Sequence, residues 1–94
     1  MHRPRYTKKD KNHKKIVKDC REVGMVIWDT ADIGGKILDL VVFWRGKALP
    51  VEVKQKGKED DFTPDEEVGI SELRLVGVEP VVATCLEDIL KAFE

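Results

Sequence analysis

Cysteine is scarce, and the two present, Cys20 and Cys85, have neither C-x-x-C spacing nor neighbouring histidines in a ligand pattern. This excludes a structural zinc site and a disulfide scaffold, and both side chains are expected as buried thiols. Long apolar runs are also missing, since none approaches the roughly 20 residues of a bilayer-spanning helix. The Lys-rich start lacks the apolar stretch of a secretory signal. A soluble, intracellular, cytoplasmic protein with no membrane partner is therefore expected. The 94 residues and 10.7 kDa leave no room for separate substrate and cofactor domains. With no linker or internal repeat, the reading is one domain over 1–94, of which 1–9 form a basic arm. Hydrophobic residues at 41% against 37% charged are too many for a disordered chain.

The net charge of −1 conceals a division along the chain. Residues 1–20 carry eight basic side chains (Arg3, Arg5, Lys8, Lys9, Lys11, Lys14, Lys15, Lys18) against Asp10 and Asp19. The remaining 74 residues carry nine basic and 16 acidic side chains. An excess of positive charge at one end points to an anionic partner, most often nucleic acid, with Arg3, Arg5, Lys8, Lys9, Lys11 and Lys15 as the expected phosphate contacts. The alternative is a solvated terminus whose lysines serve solubility only.

Ile16, Val17, Cys20 and Val23 recur at helical spacing over 10–23, and Gly24 ends the run. Met25 to Trp28 reads as a short strand, followed by a loop over 29–36 that reads as flexible from Gly34-Gly35. From Ile37 to Trp44 every residue but Asp39 is apolar, the pattern of a central strand covered on both faces. Arg45-Gly46 makes a two-residue turn into Lys47 to Lys54, where Leu49, Val51 and Val53 alternate with Pro50, Glu52 and Lys54. Thr63-Pro64-Asp65-Glu66 opens a second helix with a capping box that runs to about Leu75, and its first-turn acids are assigned to helix stability. Pro80 to Ala83 forms a fourth strand. Thr84 and Glu87 repeat the capping box before a last helix with Leu86, Ile89, Leu90 and Phe93. The order α-β-β-β-α-β-α, with one crossover, predicts a mixed four-stranded sheet flanked by helices. Trp28 and Trp44 are expected in the core.

Two carboxylates inside apolar strands need compensation, because an unpaired charge there costs several kcal/mol. If Arg45-Gly46 is the loop, Trp44 faces Lys47 and paired residue numbers add to 91, a condition that Asp39 and Glu52 also meet. Directly opposed residues share a sheet face with Cβ atoms roughly 4.5–5.5 Å apart, where two carboxylates repel unless a cation or proton lies between them. Mg²⁺ or Mn²⁺ suits such oxygen ligands with open positions for water and phosphate. Lys54 falls on the same face, where its ammonium could act on the attacking water or on developing phosphate charge. The competing reading joins Asp39 to Lys54 in a buried ion pair that binds nothing, and a bulged turn would shift the register by one residue.

Leu38-Asp39 followed across a hairpin by Glu52-Val53-Lys54, within this element order, resembles the PD-(D/E)XK nuclease superfamily and most nearly its small virus-type replication-repair (VRR-Nuc) branch. The likeness runs from about Asp10 to Phe93 and includes the Gly34-Gly35 loop and the Thr63-Pro64-Asp65-Glu66 helix start. It implies a restriction-endonuclease-like αβββαβ core and a phage or prokaryotic host. Asp39, Glu52 and the Val53 carbonyl would be the metal ligands, with Lys54 the catalytic lysine, in a Mg²⁺- or Mn²⁺-dependent DNA endonuclease that works as a homodimer. Leu38 stands where the family name has proline, a position that supplies no ligand. The first helix contributes an acidic ligand in some relatives; here its inward-facing candidates are Asn12 and His13, of which His13 is expected at the surface or in packing. Gln55 could reach a phosphate or simply end the strand. The alternative function is a non-cleaving nucleic-acid-binding module of the same fold.

Overall fold

The computed structural model describes residues 11–94, so Arg3, Arg5, Lys8 and Lys9 lie outside the described part. The elements are α1 (Lys11–Glu22), β1 (Val26–Asp29), β2 (Leu40–Trp44), β3 (Lys47–Val53), α2 (Pro64–Leu75), β4 (Val81–Ala83) and α3 (Leu86–Ala92). They build a sheet in the order β1-β2-β3-β4, antiparallel between the first three strands and parallel between β3 and β4. The parallel pair follows from the α2 crossover, since a strand that leaves through a helix returns in its original direction.

The expected register holds. Trp44 pairs with Lys47, and the ladder runs back through Val42 and Leu49 to Leu40 and Val51. Both turn residues take positive φ, 52° at Arg45 and 77° at Gly46. Two such angles define the primed turn whose twist matches a tight hairpin. Arg45 bears a steric cost there, with its guanidinium 4.1 Å from the centre of the Trp44 ring.

Strand alternation divides the sheet into two unequal faces. One face carries Ile27, Leu40, Val42, Val51 and Ala83, which join Ile16, Val17 and Cys20 of α1 and Ile89 and Phe93 of α3 in the buried core. The other carries Val41, Pro50, Glu52 and Val82, beside which α2 lies with Gly69 and Ile70 buried. α2 approaches so closely that a Cβ on Gly69 would collide with the backbone carbonyl of Lys36. Glycine is therefore the residue that lets α2 lie against the loop preceding β2. Coverage of this face is incomplete: Val26 and Trp28 are more than half exposed, and Trp28 meets Phe43 edge-on at 4.7 Å.

Several expectations need correction. Trp28 is a surface residue because it sits on the face of β1 opposite the core, and Trp44 alone reaches the core, edge-on to Phe93 at 5.7 Å. β2 is covered fully on one face and only partly on the other. The 29–36 segment is tied down: the Thr30 N–H donates to the Asp39 carbonyl at 2.8 Å, its hydroxyl donates to the Leu38 carbonyl, and the Ile33 N–H returns to the Thr30 carbonyl at 3.0 Å. At α3 the N-cap is Cys85, with no side-chain cap bond. Asp88, not Glu87, reaches back to accept from the Thr84 N–H at 2.9 Å and its hydroxyl at 3.1 Å. Cys85 is half-buried, while Cys20 is fully buried, with its thiol pushed up to about 11 by burial.

Candidate active site

Asp39 lies one residue before β2, where the Thr30 bonds close the 29–39 loop and deliver it beside the end of β3. Its side chain turns onto that strand, and Oδ2 accepts from the Val53 N–H at 2.9 Å. Val53 thus takes part through its amide hydrogen; its carbonyl is the group the resemblance would assign to a metal. Glu52 is one residue further back on β3, on the face toward α2, and only 2% exposed. Its Oε1 is buried with no hydrogen-bond partner.

A cavity of about 270 Å³ opens over this pair, lined by Ala31, Gly34, Gly35, Asp39, Glu52 and Thr63 among others, with Asp32, Asp65 and Glu66 adding three further acids. Burial, opposed by the Val53 bond, raises the ionisation of Asp39 above the ordinary carboxylate range. Burial first, then the charges of Asp39 and Glu66, pushes Glu52 up to about 9. In the metal-free protein Glu52 thus holds its proton at neutral pH.

Lys54 supplies the nearby positive charge. Its Nζ lies 2.9 Å from Glu66 Oε1 and 3.6 Å from Glu52 Oε2, so the expected alternative, a pair with Asp39, gives way to a bridge between Glu66 and Glu52. Burial alone would lower its ionisation, yet the bond and charge of Glu66, followed by Glu52 and Asp39, hold it above the ordinary value. Both backbone groups of Lys54 are engaged: its N–H donates to the Ala83 carbonyl at 3.0 Å, and its carbonyl accepts from Asn12 Nδ2 at 2.8 Å. Asn12 therefore ties α1 to the end of the site strand. His13, 3% exposed, places Nε2 3.1 Å from Asp29 Oδ2 and so joins α1 to β1 instead of facing solvent.

Glu66 is the site residue that sequence reasoning missed. Its capping box is present as expected, with the Glu66 N–H donating to Thr63 Oγ1 at 3.2 Å and the Thr63 N–H to Glu66 Oε1 at 3.0 Å. The capping signal alone accounts for a glutamate at this position, so the sequence offers no local sign of a second partner. The clue was topological, since the start of a crossover helix lies near the end of the strand it leaves.

The basic and polar residues expected at phosphates are divided. Lys11, Gln55 and Lys56 line one groove with Asn12 and Thr84, next to Lys54. Lys15 instead pairs along α1 with Asp19 at 2.7 Å.

Among the described residues, no three His, Cys, Asp or Glu side chains converge so as to hold a metal ion. The residues nonetheless fit one divalent cation in a narrower sense: a buried and a half-buried carboxyl, both with raised ionisation, one oxygen without a partner, and room in front of them for further oxygen ligands. Comparison with protein-family models, curated proteins and solved structures returns no match. Fold and site together define a small α/β domain with a four-stranded mixed sheet flanked by helices, consistent with a generic restriction-endonuclease-like fold. No described helix is long and apolar enough to cross a membrane.

Proposed function

We propose that the chain is a Mg²⁺- or Mn²⁺-dependent DNA endonuclease of the PD-(D/E)XK kind, nearest its virus-type replication-repair branch. The observation that carries this reading is the buried, unpartnered Oε1 of Glu52 beside Asp39, with the Lys54 ammonium 3.6 Å from the other oxygen of Glu52. The acids of the cleft repel a phosphodiester, and a bound divalent cation would offset that repulsion. Asp39 and Glu52 hold that cation, and the Val53 carbonyl is the backbone ligand. When bound, the ion supplies polarisation of the phosphate and a lower pKa for its water. Lys54 places a fixed ammonium where negative charge develops on phosphorus oxygens. Lys11, Gln55 and Lys56 guide the backbone of the DNA away from the cleft, and Arg3, Arg5, Lys8 and Lys9 add phosphate contacts.

Two copies working about a two-fold axis would let so small a domain address both strands of a duplex or junction. The apolar strip of Val26 and Trp28, left uncovered on the sheet, supports a second copy. Light scattering with and without DNA tests it, and a mass near 10.7 kDa in both defeats it.

A non-cleaving nucleic-acid-binding module of the same fold is the second reading, favoured by the lack of a three-ligand group among the described residues. One assay separates the two. The purified chain is added with Mg²⁺ or Mn²⁺ to supercoiled, linear, single-stranded and branched DNA, beside Asp39→Asn and Glu52→Gln. The nuclease reading predicts cleavage that falls by orders of magnitude in both variants. Binding without cleavage selects the second reading, and equal cleavage by the variants places the active site elsewhere.

A further inference from the structure

Lysine has a long, flexible stem, and a buried ammonium among several acids has more than one place to settle. Here Lys54 is anchored at its root by Ala83 and Asn12, but those bonds leave the four-carbon stem unconstrained. The ammonium is 2.9 Å from Glu66 and 3.6 Å from Glu52, and it stands 5.2 Å from the centre of the Phe62 ring. Two of these three contacts come from the segment that opens α2. The single oxygen Glu66 Oε1 accepts both the Thr63 N–H at 3.0 Å and the Lys54 ammonium. The cap of α2 and the grip on the lysine are therefore one hydrogen-bonded unit.

From this we infer that Glu66 is the positioning residue for Lys54. Helix capping alone would account for a glutamate here, but equally for a glutamine, since both serve at the third position of a capping box. What a glutamine lacks is charge: its amide oxygen can still accept from the ammonium, but without the Coulombic attraction of an ion pair. With Glu66 in place, Lys54 is held at the margin of the Asp39 and Glu52 pair, leaving Glu52 Oε1 without a partner. Without that charge, the nearest acid oxygen left to the ammonium is Glu52 Oε2 at 3.6 Å, and it shifts onto the group that a cation needs. The inference rests on the nuclease reading for its catalytic consequence, but the link between Glu66 and Lys54 stands without it.

The test uses the full chain as wild type, Glu66→Gln, Glu66→Ala and Lys54→Met. In the metal-free protein, the side-chain ammonium of Lys54 is followed by proton–nitrogen correlation NMR and assigned by its loss in Lys54→Met. Positioning by charge predicts a resolved signal in wild type that broadens in Glu66→Gln and vanishes in Glu66→Ala. The melting temperature of Glu66→Gln stays within about 2 °C of wild type because the cap survives. With Mg²⁺ and a cleavable DNA, kcat falls about tenfold in Glu66→Gln and further in Glu66→Ala, while KM changes less than about twofold, the pattern of an interaction that acts in the transition state. A Glu66→Gln protein identical to wild type in ammonium signal or in kcat overturns the inference and leaves Glu66 a cap. If wild type cleaves no DNA, the nuclease reading falls, and the ammonium signal still decides whether Glu66 holds Lys54.

Discussion

Replacing Glu52 with glutamine keeps the shape of a protonated carboxyl and removes its ability to ionise. In the folded chain without metal this group loses its proton only near pH 9, through burial and the nearby charges of Asp39 and Glu66, against an ordinary value of 4.5. A carboxyl whose folded value is raised contributes its full stability below about pH 4.5 and loses it progressively as pH climbs toward 9. Keeping the proton on Glu52 at pH 7, when the unfolded chain has released it, costs at most about 3.5 kcal/mol at ~1.4 kcal/mol for each pH unit between 4.5 and 7. Glu52→Gln escapes that cost. Allowing for relaxation around the site, it is expected to stabilise the metal-free protein by about 1.5–3 kcal/mol at pH 7, a rise in Tm on the order of 10 °C for a domain of this size. At pH 4.5 the two proteins should melt together. Thermal melts at pH 4.5, 6, 7 and 8.5 in the presence of a chelator make the comparison. A gap between variant and wild type that is the same at every pH would refute the reasoning, because it would show that Glu52 bears no charge cost in the fold.

Three further perturbations probe the scaffold and the route for nucleic acid. Gly69→Ala should destabilise by about 1–2 kcal/mol in chemical denaturation, because the added Cβ meets the Lys36 carbonyl and the overpacking exceeds the ~1 kcal/mol that alanine ordinarily gains in a helix; a stabilised variant would show that α2 does not press on the loop. Arg45→Ala should lose about 0.5–1 kcal/mol with the Trp44 contact, and Arg45→Asn should recover most of it because asparagine tolerates the positive φ of that position; equal denaturation midpoints for the two variants would contradict the turn assignment. Neutralising Lys11 and Lys56 to alanine should weaken DNA binding at every sequence and flatten its salt dependence by about 0.9 log unit for each phosphate no longer neutralised, as should removal of Arg3, Arg5, Lys8 and Lys9; an unchanged slope in a fluorescence-anisotropy titration would reduce both groups to solubilising charge.

The parts of the molecule that were legible in advance were those set by local chemistry. The primed turn at Arg45-Gly46 determined the β2–β3 register, whose ladder ends at Leu40 and Val51, and Asp39 and Glu52 follow just beyond it to line one cavity. Thr63-Pro64-Asp65-Glu66 fixed the start of α2 because its capping groups are sequence neighbours. What stayed hidden depended on contacts between distant segments. An aromatic in a strand is ordinarily core, and only the arrangement of α2 on the far face shows that the β1 end of that face, with Val26 and Trp28, goes uncovered. The 29–36 segment read as flexible from its glycines, yet Thr30 closes it onto Leu38 and Asp39. At α3, Cys85 takes the cap position and Asp88 the reaching role, a shift of one residue from the expected Thr84 and Glu87. Glu66 was recognised as a cap, whereas its bond to Lys54 spans 12 residues and needs the crossover to be folded.

The central claim is that Asp39 and Glu52 share a divalent cation, and crystals of the protein grown or soaked with Mn²⁺ test it most directly, by anomalous diffraction at the manganese edge. The account predicts one anomalous peak between the two carboxylates, in contact with Glu52 Oε1, that is lost in Glu52→Gln. A peak elsewhere on the chain, or one that remains at this position in Glu52→Gln, would contradict it.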